Sequence, residues 1–374
     1  MYIYITIMNP VIEISSEEQG MLNFKMSGVD TSLANAIRRI ILSEIPTPVF
    51  RTSGENKKVT WLINTTRMNN ELIGQRLSCV PIHIKDTDFP IENILVEVDK
   101  KNDGDIIDFV TTGDFKIKDI KTDKYLTEAA TRKIFPPNKL TGDFIDLCRL
   151  RPRISDDIAG EHLKFTCLLD IGTSQQDNAF NVASTCSYGF TLDEAKVKKL
   201  HNEKKTELSK TDMTKEDVEF ALKDWMLLEA KRNFIPNSFD FVIESVGPFS
   251  NSSIVHKACD IMINKLRKFQ NTMNNQQDLI SNSNTTIVNG YDITIPNEGY
   301  TLGKVIEYVL YSKYYGSVLT YCGFQKPHPH IDICKIRLGF KDPIETSNIV
   351  TYLVDVAEDS IKVYEKIMES FKLE

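Results

Sequence analysis

His328 and His330 flank Pro329, and on an extended segment side chains at this spacing point the same way. With Asp332 close behind, they are this chain's nearest approach to a metal or hydrolytic centre. A zinc hydrolase holds its ion with three protein ligands, a structural zinc site with about four. No third imidazole stands at a recognisable spacing, and Pro327 and Pro329 suit a rigid turn entering a strand. A stand-alone metal-dependent hydrolase built on the His328/His330 region is therefore the rival reading, which metal analysis and activity of the isolated chain would decide.

Other chemistry is harder still to find. The 7 cysteines (Cys79, Cys148, Cys167, Cys186, Cys259, Cys322, Cys334) are odd in number and scattered, without a Cys-x-x-Cys knuckle. Reduced thiols inside a cell are the expectation. There is no Gly-rich phosphate loop, no Gly-x-Ser-x-Gly elbow and no His-Glu-x-x-His. Asp156-Asp157 reads as a surface turn. No catalytic, cofactor-binding or metal residue is assigned. The formal net charge of −7 argues against an autonomous DNA-binding adaptor, a third reading that a salt-dependent gel shift would decide. No apolar run approaches the roughly 20 residues that cross a bilayer, so no membrane partner is expected. Met1–Ile7 lacks a basic start and a cleavage site and reads as the beginning of a strand.

What the chain does carry is a repeated helix. Leu33, Ile37, Ile40 and Ile41 follow Ser32; Leu302, Ile306, Val309 and Leu310 follow Thr301, at the same steps. Each is one stripe of an amphipathic helix. Ile254, Ala258, Ile261 and Asp260 are answered by Ile349, Leu353, Val356 and Asp355 in a second helix of each copy. A helix pair cannot bury its stripe alone, so two pairs packed face to face are expected: an α+β fold with two units clasped as an intramolecular pseudo-dimer, each carrying an antiparallel sheet and two helices.

The strands and breakers place these helices. Alternating runs at Val11–Ile14 and Leu22–Met26 precede a turn at Gly28–Ser32, and Pro46 and Pro48 end the first helix. The spacing predicts a larger dimerisation domain made of residues 1–49 and 235–271, interrupted by a β-rich domain at 50–234. Near the end of that insert, Ala195–Lys215 is a lysine-rich solvated helix. Thr214 and Asp217 start another, whose packing face is Val218, Leu222, Trp225 and Met226. Ser238–Val246 returns as a strand, and Asn251 or Ser252 caps the next helix. Residues 272–289, rich in Asn, Gln and Ser, read as a flexible linker spanning about 20–25 Å. A smaller dimerisation domain at 290–374 follows, with a strand through Ile331, Ile333, Ile336 and Leu338. Fusion gives the two units an effective concentration on the order of mM.

Asn35-Ala36-Ile37-Arg38-Arg39-Ile40-Ile41-Leu42-Ser43-Glu44-Ile45-Pro46 resembles the signature helix of the larger α-like subunit of multisubunit RNA polymerases, related to the amino-terminal domain of bacterial α. Gln75-Arg76-Leu77-Ser78-Cys79-Val80-Pro81-Ile82 is similar to that family's Arg-Leu-Gly-x-x-Pro element, with Ser78 in place of Gly. Phe241–Gly247 resembles its returning strand. Thr301-Leu302-Gly303 and Cys322-Gly323-Phe324-Gln325-Lys326-Pro327-His328-Pro329 resemble the smaller α-like subunit in order and spacing. The motifs cover most of the chain, apart from Asp99–Asn138 and the lysine-rich stretch.

The resemblance implies a non-catalytic platform on which the second-largest and largest polymerase subunits dock, with small accessory subunits beside them and DNA reached only through the complex. It implies that Asn35, Arg38, Arg39, Glu44, Arg76 and Pro81 face the large subunits. From the residues alone, Arg38 and Arg39 read first as a solvated or salt-bridged surface; the resemblance reverses that. The loop Gly172–Asn181 resembles a segment that contacts those subunits. The family's zinc loop is not carried over, since no cysteine follows Ile82 until Cys148. Two α-like subunits in one chain resemble the arrangement in some large DNA viruses. The implied location is intracellular: the cytoplasm of an infected cell and the virion, or otherwise the nucleus.

Overall fold

The computed structural model describes residues 8–85, 90–155, 158–211 and 213–371. The strand expected at Met1–Ile7 and the turn at Asp156-Asp157 lie outside the described residues. The described residues open with β1 (Val11–Glu18) and β2 (Met21–Ser27), joined through Gln19 and Gly20 at φ 53° and 82°. Leu22, Phe24 and Met26 alternate into the core, as a half-buried strand requires. Gly28 then turns the chain at φ 76°, where a Cβ would stand 2.2 Å from the Asn9 carbonyl oxygen. Only glycine fits there. Helix α1 (Thr31–Ser43) starts on Asp30, whose carboxylate accepts the Ser32 N–H at 2.8 Å and the Ser32 hydroxyl at 2.7 Å.

There follow β3 (Thr47–Phe50), β4 (Val59–Asn64), α2 (Asn70–Ser78), β5 (Ile94–Lys101), β6 (Asp108–Thr111), β7 (Lys116–Asp119), β8 (Lys124–Tyr125), α3 (Glu128–Ile134), β9 (Asp146–Leu150) and β10 (His162–Gly172). Next come β11 (Ala183–Leu192), α4 (Glu194–Leu208), α5 (Lys215–Leu227), β12 (Phe234–Ser245) and α6 (Asn251–Asn275). The last part holds β13 (Ile280–Asn282), β14 (Gly290–Pro296), α7 (Tyr300–Tyr314), β15 (Leu319–Gln325), β16 (Ile333–Phe340) and α8 (Thr346–Glu369).

These elements form an α+β fold of antiparallel sheets in two compact units. One gathers the described residues up to Ile40, Thr185–Glu244 and those from Val255 on; the other gathers Ile41–Ser184 and Ser245–Ile254. In the first, one sheet runs β1-β2-β12-β11 and another runs β13-β14-β16-β15. Phe24 stacks on Phe241 across the first sheet, ring centroids 5.0 Å apart. In the second sheet Arg337 grips Asp292 with two bonds, 2.6 and 2.8 Å, from neighbouring strands. The second unit is organised on β3-β10-β5-β7-β8, with β4 also paired to β10 and β6-β9 a separate ribbon. Its core includes Phe50, Leu77, Phe115, Phe135 and Phe165.

Four expectations change. A β-rich region is expected at 50–234, but β11 neighbours β12, so Thr185–Glu244 clusters with the first unit, and within that range the second unit stops at Ser184. Alternation alone does not say which sheet a strand joins. Residues 272–289 are not slack: α6 runs to Asn275, and Ile280–Asn282 forms β13 on β14. Met273 is fully buried and Ile280 nearly so, which anchors a stretch whose composition looks loose. The α6 cap is Ser250, whose hydroxyl accepts the Ser253 N–H, rather than Asn251 or Ser252. Ile331 precedes β16 and is exposed, since the strand starts only at Ile333.

Candidate functional site

The repeated helices supply the site. On α1, Leu33, Ile37, Ile40 and Ile41 are all buried; on α7, Leu302, Ile306, Val309 and Leu310 are too. On α8 the stripe is Ile349, Leu353, Val356, Ile361, Tyr364 and Ile367. On α6, Ile254 and Ala258 are buried, but Ile261 is only half-buried. Met262 and Ile263 lie inside instead, so the stripe continues through Leu266 and Phe269 to Met273.

Contacts join the helices of the two repeats within the first unit. The hydroxyl of Tyr364 on α8, fully buried, donates to the Leu33 carbonyl on α1 at 3.4 Å. Burial first, then the neighbouring Cys259, pushes that phenol well above its usual pKa, so it stays protonated and able to donate. Arg39 Nε on α1 donates to Thr301 Oγ1 at the start of α7 at 3.0 Å. Between α6 and α8, Gln270 donates to the Val354 carbonyl at 3.2 Å and Arg267 pairs with Glu365 at 3.4 Å. Lys265 meets Glu298 at 3.1 Å, and Phe24 meets Phe371 edge-on at 5.1 Å.

Gly303 has a packing reason. The Phe324 ring of β15 lies over it so closely that a Cβ would stand 2.0 Å from a ring carbon. Thr301-Leu302-Gly303 and Cys322-Gly323-Phe324 are thus two sides of one contact. Sequence spacing alone did not reveal this.

The arginines and their neighbours divide by what they already touch. Arg38 Nε donates to Asn35 Oδ1 one turn earlier at 2.9 Å, and both residues are half-buried. Arg39 is committed to Thr301. Glu44 is half-buried just past α1. In the second unit, Arg76 on α2 donates to the Leu147 carbonyl at 2.6 Å, tying α2 to β9. Half-buried Pro81 lines a narrow cleft of about 20 Å³ with Thr47, Cys79, Phe180 and Pro248. Thr47 Oγ1 is buried without a hydrogen-bond partner among the described residues. The loop from Gly172 is pinned: Arg51 pairs with Asp170 at 2.6 Å and lies over the Phe180 ring at 5.5 Å.

His328 and His330 sit together, ring centroids 5.2 Å apart, but the His328 Nδ1 accepts the His330 N–H at 3.2 Å. That ring nitrogen is spent on the turn. Among the described residues no group of three or more His, Cys, Asp or Glu could hold a metal ion. Among them, too, no helix is long and apolar enough to cross a membrane.

Buried paired helices, each backed by a sheet, define a dimerisation module. The chain belongs to the RNA polymerase Rpb3/Rpb11 dimerisation domain family, whose model matches residues 23–266. It is 26% identical over 294 residues to DNA-directed RNA polymerases I and III subunit rpac1 of Dictyostelium discoideum, covering 70% of this chain and 81% of that one. It is 24% identical over 294 residues to DNA-directed RNA polymerase subunit Rpo3 of Methanosphaera stadtmanae, covering 71% and 99%. Similarity to the human subunit RPAC1 is 35% but spans 72 residues, 19% of each chain.

Proposed function

We propose that this chain is a non-catalytic assembly subunit of a DNA-directed RNA polymerase, with two α-like units fused and clasped as an intramolecular pseudo-dimer. The observation that carries the reading is the pair of bonds Tyr364 to Leu33 and Arg39 to Thr301, which link the repeated helices of one polypeptide. Relatives named as polymerase subunits in Dictyostelium discoideum and Methanosphaera stadtmanae support the polymerase part of this reading. A platform ordered before its partners arrive loses less entropy when they bind. The second-largest and then the largest subunit are the partners of this reading, small accessory subunits join them, and DNA is met only through the complex. An intracellular site follows, and the fusion suits a viral polymerase.

Arg38, steadied by Asn35, is the arginine best placed to meet a large subunit, because Arg39 already serves the helix clasp. The test is co-expression with the two largest polymerase subunits of the same genome, followed by size-exclusion chromatography. The wild-type chain is expected to co-elute with them and Arg38→Ala to lose them. A wild-type chain that elutes alone would overturn the assignment, and an Arg38→Ala chain that co-elutes unchanged would remove Arg38 from the interface.

A further inference from the structure

Helices α4 and α5 form a hairpin between β11 and β12, and α5 carries more apolar surface than the hairpin uses. Its inner side is satisfied. Leu222 is buried, Val218 and Trp225 are half-buried, and the His201 ring of α4 lies 6.2 Å from the Trp225 ring. The hairpin is also well capped: Asp193 accepts the Lys196 N–H at 2.9 Å, and Thr214 accepts the Asp217 N–H at 3.3 Å. Yet Phe220 is 74% exposed, Leu227 56% and Leu228 63%. Met226, expected on the packing face, is 41% exposed as well.

Glu216, Phe220, Lys223 and Leu227 recur at steps of four and three, so they form one stripe on the side of α5 away from Val218, Leu222 and Trp225. At the rise of an α-helix that stripe is about 16 Å long, with Phe220 and Leu227 about 10 Å apart. Glu219 and Asp224 flank it. Three carboxylates against one ammonium make its border acidic. A capped, inwardly packed helix with a second apolar stripe is pre-ordered for a partner.

We propose that the outer face of α5 is a docking site for a basic amphipathic helix of another protein, which seats two apolar side chains on Phe220 and Leu227 and sets Lys or Arg against Glu216, Glu219 and Asp224. The acidic border selects the sign of the partner. It disfavours a nucleic acid, whose phosphates would meet those carboxylates, although α4 alongside is rich in lysine. This site is independent of the helix clasp and of the polymerase reading.

The test uses the full chain and a fluorescent synthetic helix bearing two leucines seven residues apart on a lysine background, followed by anisotropy. A matched peptide with glutamates for lysines and a single-stranded oligonucleotide complete the probes. The lysine peptide is expected to bind, the glutamate peptide not. Phe220→Asp with Leu227→Asp is expected to weaken binding about tenfold or more. Glu216→Lys with Glu219→Lys and Asp224→Lys, which keeps both apolar anchors, should weaken it as well, and all these positions are exposed enough to leave the circular dichroism spectrum unchanged. Four outcomes would overturn the proposal: no binding of the lysine peptide, equal binding of both peptides, an unaffected double variant, or an oligonucleotide that displaces the lysine peptide. Self-association of the wild-type chain that the double variant abolishes would assign the face to a second copy instead.

Discussion

Tyr364 offers the sharpest probe of the clasp between the two repeats. Its ring is fully buried on α8, and its hydroxyl reaches the Leu33 carbonyl at 3.4 Å. Tyr364→Phe keeps the ring and removes one long bond, so it should cost about 0.5–1 kcal/mol. Tyr364→Ala empties a large buried volume and should cost about 3–5 kcal/mol. The ratio between the two matters more than either value, because a chain with two units need not unfold in one step. Hydrogen exchange by mass spectrometry localises the effect: Tyr364→Ala should speed exchange in both α8 and α1, whose sequences stand at opposite ends of the chain. Acceleration confined to α8, or a Phe variant as damaging as Ala, would refute the clasp.

Other perturbations separate structural from docking roles. Arg337→Leu leaves the nearly buried Asp292 without its bidentate partner and should destabilise the second sheet by about 3 kcal/mol, read by thermal denaturation. Arg76→Ala should cost about 1–3 kcal/mol through the orphaned Leu147 carbonyl; protection of β9 in hydrogen exchange would fall before any partner is added. Gly303→Ala should cost about 1–3 kcal/mol by driving a methyl into Phe324, so a melting point equal to wild type would reject that packing. In alkali, the buried thiols of Cys148 and Cys334 are pushed by burial to about 11 from the ordinary 9.0 of a thiol. Their stabilisation is intact below pH 9.0 and fades as pH rises toward about 11, so a denaturation midpoint that is flat across this window would contradict their burial.

The helical part of this architecture was legible because its signal is local. A stripe such as Leu33, Ile37, Ile40 and Ile41 repeats within one helix and needs no knowledge of what covers it. Strand existence was equally readable at Leu22–Met26 or Ser238–Val246, but sheet membership was not, since β11 looks the same whether it joins β12 or the sheet of the second unit. Composition misjudged residues 272–289, where Met273 and Ile280 outweigh their polar neighbours. For side chains the limit was partner identity. Arg39, Arg76 and His328 each advertise chemistry by type, yet Thr301, the Leu147 carbonyl and the His330 N–H absorb part of it. Those acceptors and donors lie far off in sequence or in the backbone, where residue type carries no mark.

The short strand Ile280–Asn282 has a bearing on how the molecule is made. It is translated before α7, yet it belongs to the same sheet as β15 and β16, which follow that helix. As the nascent chain leaves the ribosome, the first rung of the later sheet is therefore already tied to the end of α6, and β14 can zip onto it within a dozen residues. The sheet made of residues 280–340 can thus grow from a strand that follows directly on α6.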